Sequence, residues 1–171
     1  MANSGPSNAT WASTAPTSSV FSVGSSGQTN GNNGTYVVML FASVDGISKV
    51  GSYTGTANSA QSVSLGFQPR FITIKNATDS SNNWTTGWFT YDTTRGWSAP
   101  STTHMFLNDT MANQTSNGDS APTATGFDIS GSDAWNNANG DTFLYYAHFI
   151  EVGYRSERFE VVYRSEHVVM G

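Results

Sequence analysis

The chain of 171 residues contains no cysteine, so neither a disulfide nor a thiolate metal site can form. Basic residues are also few: seven Lys and Arg stand against twelve Asp and Glu, for a formal net charge of −5. Because a phosphate backbone is usually bound by a basic patch, this balance argues against a nucleic-acid partner. A domain of this size buries roughly 70% of its unfolded surface, so it can fold without a covalent or metal staple.

Long hydrophobic runs and helical periodicity are missing as well. No apolar run approaches the ~20 residues of a membrane span, so no membrane partner is expected. No basic start followed by an apolar stretch opens the chain, so we expect no signal peptide. Before residue 150, no segment repeats its apolar residues with the 3.6-residue period of a helix. If the protein reaches the outside of a cell, release in a virion by lysis would account for the lack of a signal peptide and of a membrane span.

Neutral polar residues and aromatic residues take the place of charge. Only 11% of the residues are charged, whereas 13% are aromatic, and Ser, Thr, Asn and Gly are abundant. Such a composition is typical of β architectures with tight turns. Gly66 permits a turn conformation, Pro69 favours extended geometry before it, and Ile72 and Ile74 then share one face of a predicted central strand at 71–75. The sequence therefore predicts one all-β domain, an antiparallel, jelly-roll-like β-sandwich.

A nearly continuous apolar run at residues 35–42 predicts a strand that is buried on both faces or lies at the centre of a sandwich. The run and the last predicted strand both follow Asn/Gly clusters, which suggests two central, adjacent strands. Residues 109–121 are predicted to form a long polar loop. The remaining strands are predicted at residues 50–53, 62–65, 84–92, 103–108, 125–130 and 142–150.

Composition divides the chain into an N-terminal arm at 1–33, a sandwich body at 34–150 and a C-terminal segment at 151–171. The N-terminal arm is rich in Ser, Thr, Asn, Gly and Pro. It is either a disordered tail or an arm that lays Trp11 and Phe21 on a neighbouring subunit or a shell.

The C-terminal segment differs from the body because it holds all four Glu residues and three of the seven basic residues. It also contains several residues that favour strands. It is either an edge strand or hairpin of the same domain, or an arm that adds to a neighbour's sheet. In the second case, the candidate partner contacts are Arg155, Arg158, Phe159 and Arg164.

An ordered series of motifs resembles a known family. The series consists of residues 36–42, 50–55, 65–75, 92–96, 125–127 and 139–147, together with Trp88. In this order the motifs are similar to an uncharacterised β-domain that recurs in structural and tail-fibre proteins of tailed bacteriophages, notably marine and cyanobacterial ones. The resemblance covers about residues 35–149. It implies membership of a virion and an antiparallel β-sandwich core, and it brings no catalytic residues.

Catalytic and metal-binding patterns are absent from the sequence. His104, His148 and His167 lack the spacing of a zinc site, and no Gly-x-Ser-x-Gly elbow or phosphate-binding glycine loop occurs. Most Asp residues fall at turns, where they usually cap backbone N–H groups. Asp92 and Arg95 are predicted to pair across such a turn. We therefore predict a protein that is not an enzyme and has neither catalytic residues nor a cofactor.

Two weaker binding hypotheses remain. Asp133 lies near Asn136, Asn137 and Asp141, whose oxygens suit calcium, but the spacing matches no known calcium loop, so no metal site is predicted. Tryptophans at loop tips can stack on sugar rings. Of Trp84, Trp88, Trp97 and Trp135, about two are expected in the core, and Trp97 and Trp135 are the candidate glycan contacts.

These observations predict a non-catalytic structural protein of a tailed phage. The expected role is a capsid decoration, or cement, protein on the capsid exterior. It would form a homotrimer and bind the major capsid protein through both arms. The alternative is a tail-fibre module that recognises host surface glycans through loop aromatics. A hydrolase is a third and weaker hypothesis, because two facing carboxylates are not evident.

Overall fold

The computed structural model describes residues 8–57, 59–78, 87–108, 110–116, 119–130 and 134–149. The C-terminal segment at 151–171 and the start of the strand predicted at 84–92 lie outside these ranges. Three one-turn helices, α1 (Asn8–Trp11), α2 (Gly27–Asn30) and α3 (Ala134–Asn137), occur in the described part, with a 3₁₀ turn at Thr93–Arg95. Its strands are β1 (Ser48–Thr54), β2 (Gln61–Ser64), β3 (Phe71–Asn76), β4 (Trp88–Asp92), β5 (Thr102–Phe106), β6 (Gln114–Ser116), β7 (Ser120–Thr123), β8 (Gly126–Ile129) and β9 (Thr142–His148).

The strands form two antiparallel sheets of unequal size. The larger sheet has the order β1-β9-β3-β4-β5-β6, and the smaller has the order β2-β8-β7. Side chains from the facing surfaces of both sheets fill one hydrophobic core. The all-β sandwich predicted from the sequence is confirmed. None of the helices in the described ranges is long and apolar enough to cross a bilayer.

Strand β3 lies inside the larger sheet, as its sequence predicts. It pairs with β9 on one side and with β4 on the other, so that Ile74 faces both Tyr145 and Phe89. Ile72 and Ile74 are fully buried on the core side. Gly66 adopts a φ of +87°, a conformation that a side chain disfavours, and this turn leads the chain into the strand.

Residues 35–42 do not form a strand, so the prediction of a strand buried on both faces is wrong. The turn at Asp45 and Gly46 closes one antiparallel bridge, between Val44 and Ser48, and the preceding chain then leaves the sheet. The prediction of two central, adjacent strands fails with it, because β9 instead lies between β1 and β3. An apolar run predicts that its side chains are buried, but it does not predict which segment or chain covers them.

The predicted loop at 109–121 contains β6 and the first part of β7. These strands consist of Gln, Thr, Ser, Ala and Pro, and therefore lack the apolar alternation that marks a strand in sequence. Pro122 is tolerated because β7 lies at the edge of the smaller sheet. The other predicted strands that fall within the described residues differ from the observed strands by only a few residues.

Candidate interaction surface

The predicted strand that failed to form instead becomes the most exposed apolar feature of the described chain. We call Tyr36 to Phe41 the apolar run. Its six side chains are between 41% and 93% exposed. Within the described residues, no backbone hydrogen bond joins this run to another segment. Water can satisfy the backbone N–H and C=O groups of the run. Contiguous exposure of apolar side chains, however, usually marks an interaction site.

The N-terminal arm adds two aromatic side chains to this surface. Trp11 and Phe21, the predicted partner contacts of the arm, line a groove of about 460 Å³ together with most of the apolar run. Both rings remain more than a third exposed. The hydroxyl of Tyr36 fixes the groove wall, because it donates to the Gly27 carbonyl (2.8 Å) and accepts from the Gly31 N–H (2.6 Å).

The apolar run reaches the sandwich through Phe41. Its ring lies 4.4 Å from that of Tyr146, measured between centroids. The contact falls on the outer face of the larger sheet, which is the face turned away from the smaller sheet. Tyr146, His148 and Phe71 continue across this face, with centroid separations of 5.6 and 4.8 Å. The run and this aromatic row therefore form one continuous surface, which Ser and Thr side chains of the outer face flank.

This outer face is also poor in charge. Among the described strand residues of the larger sheet that point to this face, only Lys75 and Asp92 are charged, and the Arg95 guanidinium reaches Met105 from the turn after β4. Burial lowers the pKa of His148, although the nearby Asp92 carboxylate opposes that shift, so the imidazole remains neutral at pH 7. A neutral aromatic surface suits a protein partner, because aromatic residues dominate interface cores and charged residues are depleted there.

The two candidate glycan contacts have different surroundings. Trp97 is only 1% exposed, and its indole N–H donates to the Ser120 hydroxyl at 3.2 Å. The predicted glycan contact is wrong for Trp97, because its ring packs on Tyr91 in the core. Trp135 is partly buried and lies nearly parallel to Phe89, at a centroid separation of 6.2 Å. Trp88 lies in β4 on the outer face, whereas Trp84 is outside the described residues.

Trp135 borders a cavity that is lined mainly by residues of β4, β5 and β6. Its volume is about 380 Å³, and the described residues that line it are Phe89, His104, Phe106, Met111, Gln114, Thr115, Ser116 and Trp135. The lining is mainly apolar, with the imidazole of His104 as its titratable group.

His104 forms a buried pair with Asp119. The His104 Nδ1 lies 3.5 Å from Asp119 Oδ2, and both side chains are at most 5% exposed. This separation allows an ion pair when the imidazole is protonated, but neither Nδ1 nor the carboxylate oxygens make a hydrogen bond among the described residues. Burial lowers the pKa of His104, and the Asp119 charge opposes it. We assign a neutral imidazole because burial is the larger effect.

The two shifted histidines predict acid sensitivity. Their folded-state pKa values lie below the ordinary value, so the unfolded chain binds more protons as the pH falls. The free energy of unfolding should therefore decrease between pH 7.5 and 5.5, where most carboxylates stay ionised. Urea unfolding at each pH measures this slope. A His104→Gln, His148→Gln double variant should flatten it, and an equal slope in the variant would contradict the prediction.

The turn after β4 is stabilised differently from the prediction. Asp92 caps it by accepting from the Thr94 N–H at 2.7 Å. Arg95, however, donates toward the sulfur of Met105 at 2.9 Å, and no ion pair links it to Asp92 among the described residues. The predicted Asp92–Arg95 pair is therefore wrong, because the backbone N–H is the nearer partner of the carboxylate.

The oxygen-rich residues considered for calcium have structural partners. Asn137 is fully buried, and its side chain accepts from the Thr56 N–H (2.8 Å) and the Gln61 amide (2.7 Å). Its amide nitrogen donates to carbonyls of residues 57, 59 and 130. Asp141 accepts from the Asn76 amide. Asp133 lies outside the described residues, and the described ranges contain no cluster of three metal-ligating side chains.

Two parts of this surface were not predicted from the sequence. Residues 35–42 were expected in the core, and Phe71, Tyr146 and His148 were not expected to lie together on one outer face. The alternation of aromatic residues with core residues in β9 was the available signal for the outer face. The remaining candidate partner contacts, Arg155, Arg158, Phe159 and Arg164, lie outside the described residues.

Comparison with known proteins places the whole of this surface in one family domain. A family model described as "Domain of unknown function (DUF7483)" matches residues 2–152. The matched range includes the N-terminal arm, the apolar run and the described sandwich. No curated protein and no solved structure matches the chain.

Proposed function

This chain belongs to the DUF7483 family, and from that premise we propose that it is a non-catalytic structural protein of a tailed-phage virion. Its role is that of a capsid decoration protein that binds the major capsid protein on the capsid exterior and assembles as a homotrimer. The observation that carries this proposal is the exposed apolar run on a folded sandwich. The resemblance of its sequence motifs to those of phage structural proteins supports the assignment to a phage virion.

The chemistry of the surface supports assembly. The apolar run, Trp11 and Phe21 supply large side chains without any charge, and the outer face of the larger sheet extends the same character. Each fully buried side chain of this size contributes about 1.5–3 kcal/mol through removal of apolar area from water. A partner that covers several of them can therefore form a stable complex, provided that it also satisfies the free backbone groups of the run.

The experiment that tests the proposal mixes purified protein with undecorated capsids. Saturable binding, at a stoichiometry near that of the local three-fold sites of the shell, is the expected result. The control is a Val38→Asp variant, which places a charge within the apolar run and should bind much less. Failure of the unmodified protein to bind shells would overturn the decoration role. The copy number per virion provides a second readout: hundreds of copies fit the capsid, and a few dozen fit the tail.

A tail-fibre module that recognises host glycans is the second candidate. The position of Trp135 beside a mainly apolar cavity of about 380 Å³ favours it. Binding of the purified protein to host cells, but not to shells, would select this role over decoration. A Trp135→Ala variant should then lose cell binding, whereas Trp88→Ala, at the outer face, should retain it.

Removal of residues 151–171 should leave the body folded. The described body ends at Phe149, whose N–H bonds to the Ile47 carbonyl at 2.8 Å, and the family match ends at residue 152. We expect the melting temperature to change by less than about 4 °C, which corresponds to less than ~1 kcal/mol. Shell attachment should weaken if the segment is an arm. Unfolding of the truncated protein, measured by circular dichroism, would instead make the segment part of the core.

A further inference from the structure

Strand β1 has a free edge. It is the first strand of the larger sheet and pairs with β9 on one side only. On its other side, Ser48 exchanges backbone hydrogen bonds with Val44, both at 2.9 Å, and the Val50 N–H donates to the Ser43 hydroxyl at 3.0 Å. Because every second residue of a strand points its N–H and C=O to the same side, Ser52 comes next along this edge. Ser52 has no backbone partner on that side among the described residues.

The apolar run is a free strand from the same chain that fits this edge. The bridge between Val44 and Ser48 sets an antiparallel register in which Leu40 would lie opposite Ser52. The run favours strand conformation, since it consists of β-branched, aromatic and aliphatic residues. Its backbone lacks partners within the described chain, as does the backbone of Ser52 at the β1 edge. Each chain therefore contains both a free strand edge at β1 and a segment, the apolar run, that could pair with it.

The run does not make this pairing within its own chain. The run, which precedes Ser43 in the chain, turns away from the sheet, with the ring of Phe41 on Tyr146 and the hydroxyl of Tyr36 bound to Gly27 and Gly31. Ala42 and Ser43 form the hinge, because they are the last residues held at the β1 edge, by the Ser48 hydroxyl (2.9 Å) and the Val50 N–H (3.0 Å). An element that is displaced at a hinge from a matching edge can exchange between identical copies, because every copy offers the same edge.

We propose that the apolar run of one copy adds as an exchanged strand to the β1 edge of a second copy. Leu40 of one chain then lies opposite Ser52 of the other, and the backbone groups of both segments are satisfied. In this arrangement Val37, Met39 and Phe41 point toward the core side of the sheet, where the ring of Tyr145 covers Gly51. This inference deepens the proposed structural role and rests on it only for the presence of neighbouring copies.

The test uses the absence of native cysteine. A Leu40→Cys, Ser52→Cys double variant of the full chain is purified and oxidised without shells present. Directly opposed residues in an antiparallel pair lie about 5.5 Å apart between Cα atoms, which suits a disulfide. We expect cross-linked chains on a non-reducing gel. The control is Val37→Cys, Ser52→Cys, which is out of register and should cross-link at least tenfold less.

Each outcome decides the inference. Cross-links between chains support it, and a mixture of the two single variants should yield the same linked pair. A disulfide within one chain means that the run closes on its own sheet, and no disulfide means that the edge stays free; either result overturns the exchange. Comparable cross-linking in the out-of-register control would also overturn it, since the contact would then be nonspecific.

A second variant tests the same interface by association. Leu40→Asp should weaken self-association at least tenfold in sedimentation experiments, whereas Leu107→Asp, at an exposed leucine of the body, should not. Equal association of the two variants would contradict the proposal. These measurements need no capsid, so their failure is separate from failure of shell binding. A protein that exchanges strands but does not bind shells would contradict only the proposed decoration role, and the strand exchange would stand.

Discussion

Replacement of Asn137 by alanine should cost about 3–4 kcal/mol of the free energy of unfolding, a value expected for loss of a buried hydrogen-bond network. The amide is fully buried and bonds to the backbone of residues 56, 57, 59 and 130 and to the Gln61 side chain. Alanine would remove all of these hydrogen bonds at once. The loop before β2, the end of β8 and α3 would then lose their common link. Urea unfolding followed by tryptophan fluorescence measures the effect.

Two further variants separate the network from the loss of one side chain. Asn137→Asp keeps the acceptor oxygen but removes the amide donor and buries a charge, so it should also be strongly destabilising. Asn32→Ala, at an exposed position in the N-terminal arm, should change stability by less than about 0.5 kcal/mol. A loss below about 1 kcal/mol in Asn137→Ala would show that water replaces the amide.

Phe127→Ala is expected to cost about 4 kcal/mol, within the range for large-to-small changes in a core. Phe127 in β8 is fully buried, and its ring meets Tyr145 and Tyr53 edge-to-face at 5.5 and 6.2 Å. These contacts join the smaller sheet to the larger one. The alanine variant would therefore leave a cavity between the sheets, which chemical denaturation would detect as a lower midpoint.

The matched comparison for this prediction uses a phenylalanine outside the sandwich. Phe21→Ala in the N-terminal arm should cost less than about 1 kcal/mol, because its ring is already partly exposed. Phe127→Leu should restore part of the loss, since most of the buried volume returns. Equal effects of Phe21→Ala and Phe127→Ala would mean that Phe127 does not connect the two sheets.

The fold was predictable where local chemistry and packing agree. Ile72 and Ile74 alternate, Gly66 and Pro69 define the entry to the strand, and β3 forms as expected within the larger sheet. The short strands β6 and β7 were not predictable, because their residues pair through the backbone without an apolar pattern. The strand order was not predictable either, since pairing of β1 with β9 joins segments about 90 residues apart.

The candidate site was less predictable than the fold. Trp97 and Trp135 both lie in polar surroundings in sequence, yet Trp97 is buried because its N–H finds Ser120. The apolar run was assigned to the core because hydrophobicity predicts burial. Hydrophobicity does not predict whether the same chain or another chain covers the run, and in this chain the run is exposed. Trp11 and Phe21 were identified from their isolation in a polar arm. That they share a groove with the run depends on the Tyr36 hydrogen bonds, which no sequence pattern indicates.

The position of β9 has a consequence for how the protein is made. This strand is the last of the described body to leave the ribosome, yet it lies between β1 and β3 and pairs with both. The hairpins from β3 to β6 can form during synthesis, because each pairs with its neighbour in sequence. Strand β1 must wait for about 90 residues before its partner is available, which makes its closure slow. A nascent chain that pauses before residue 142 therefore leaves the edges of β1 and β3 that pair with β9 unpaired, the condition in which β proteins aggregate.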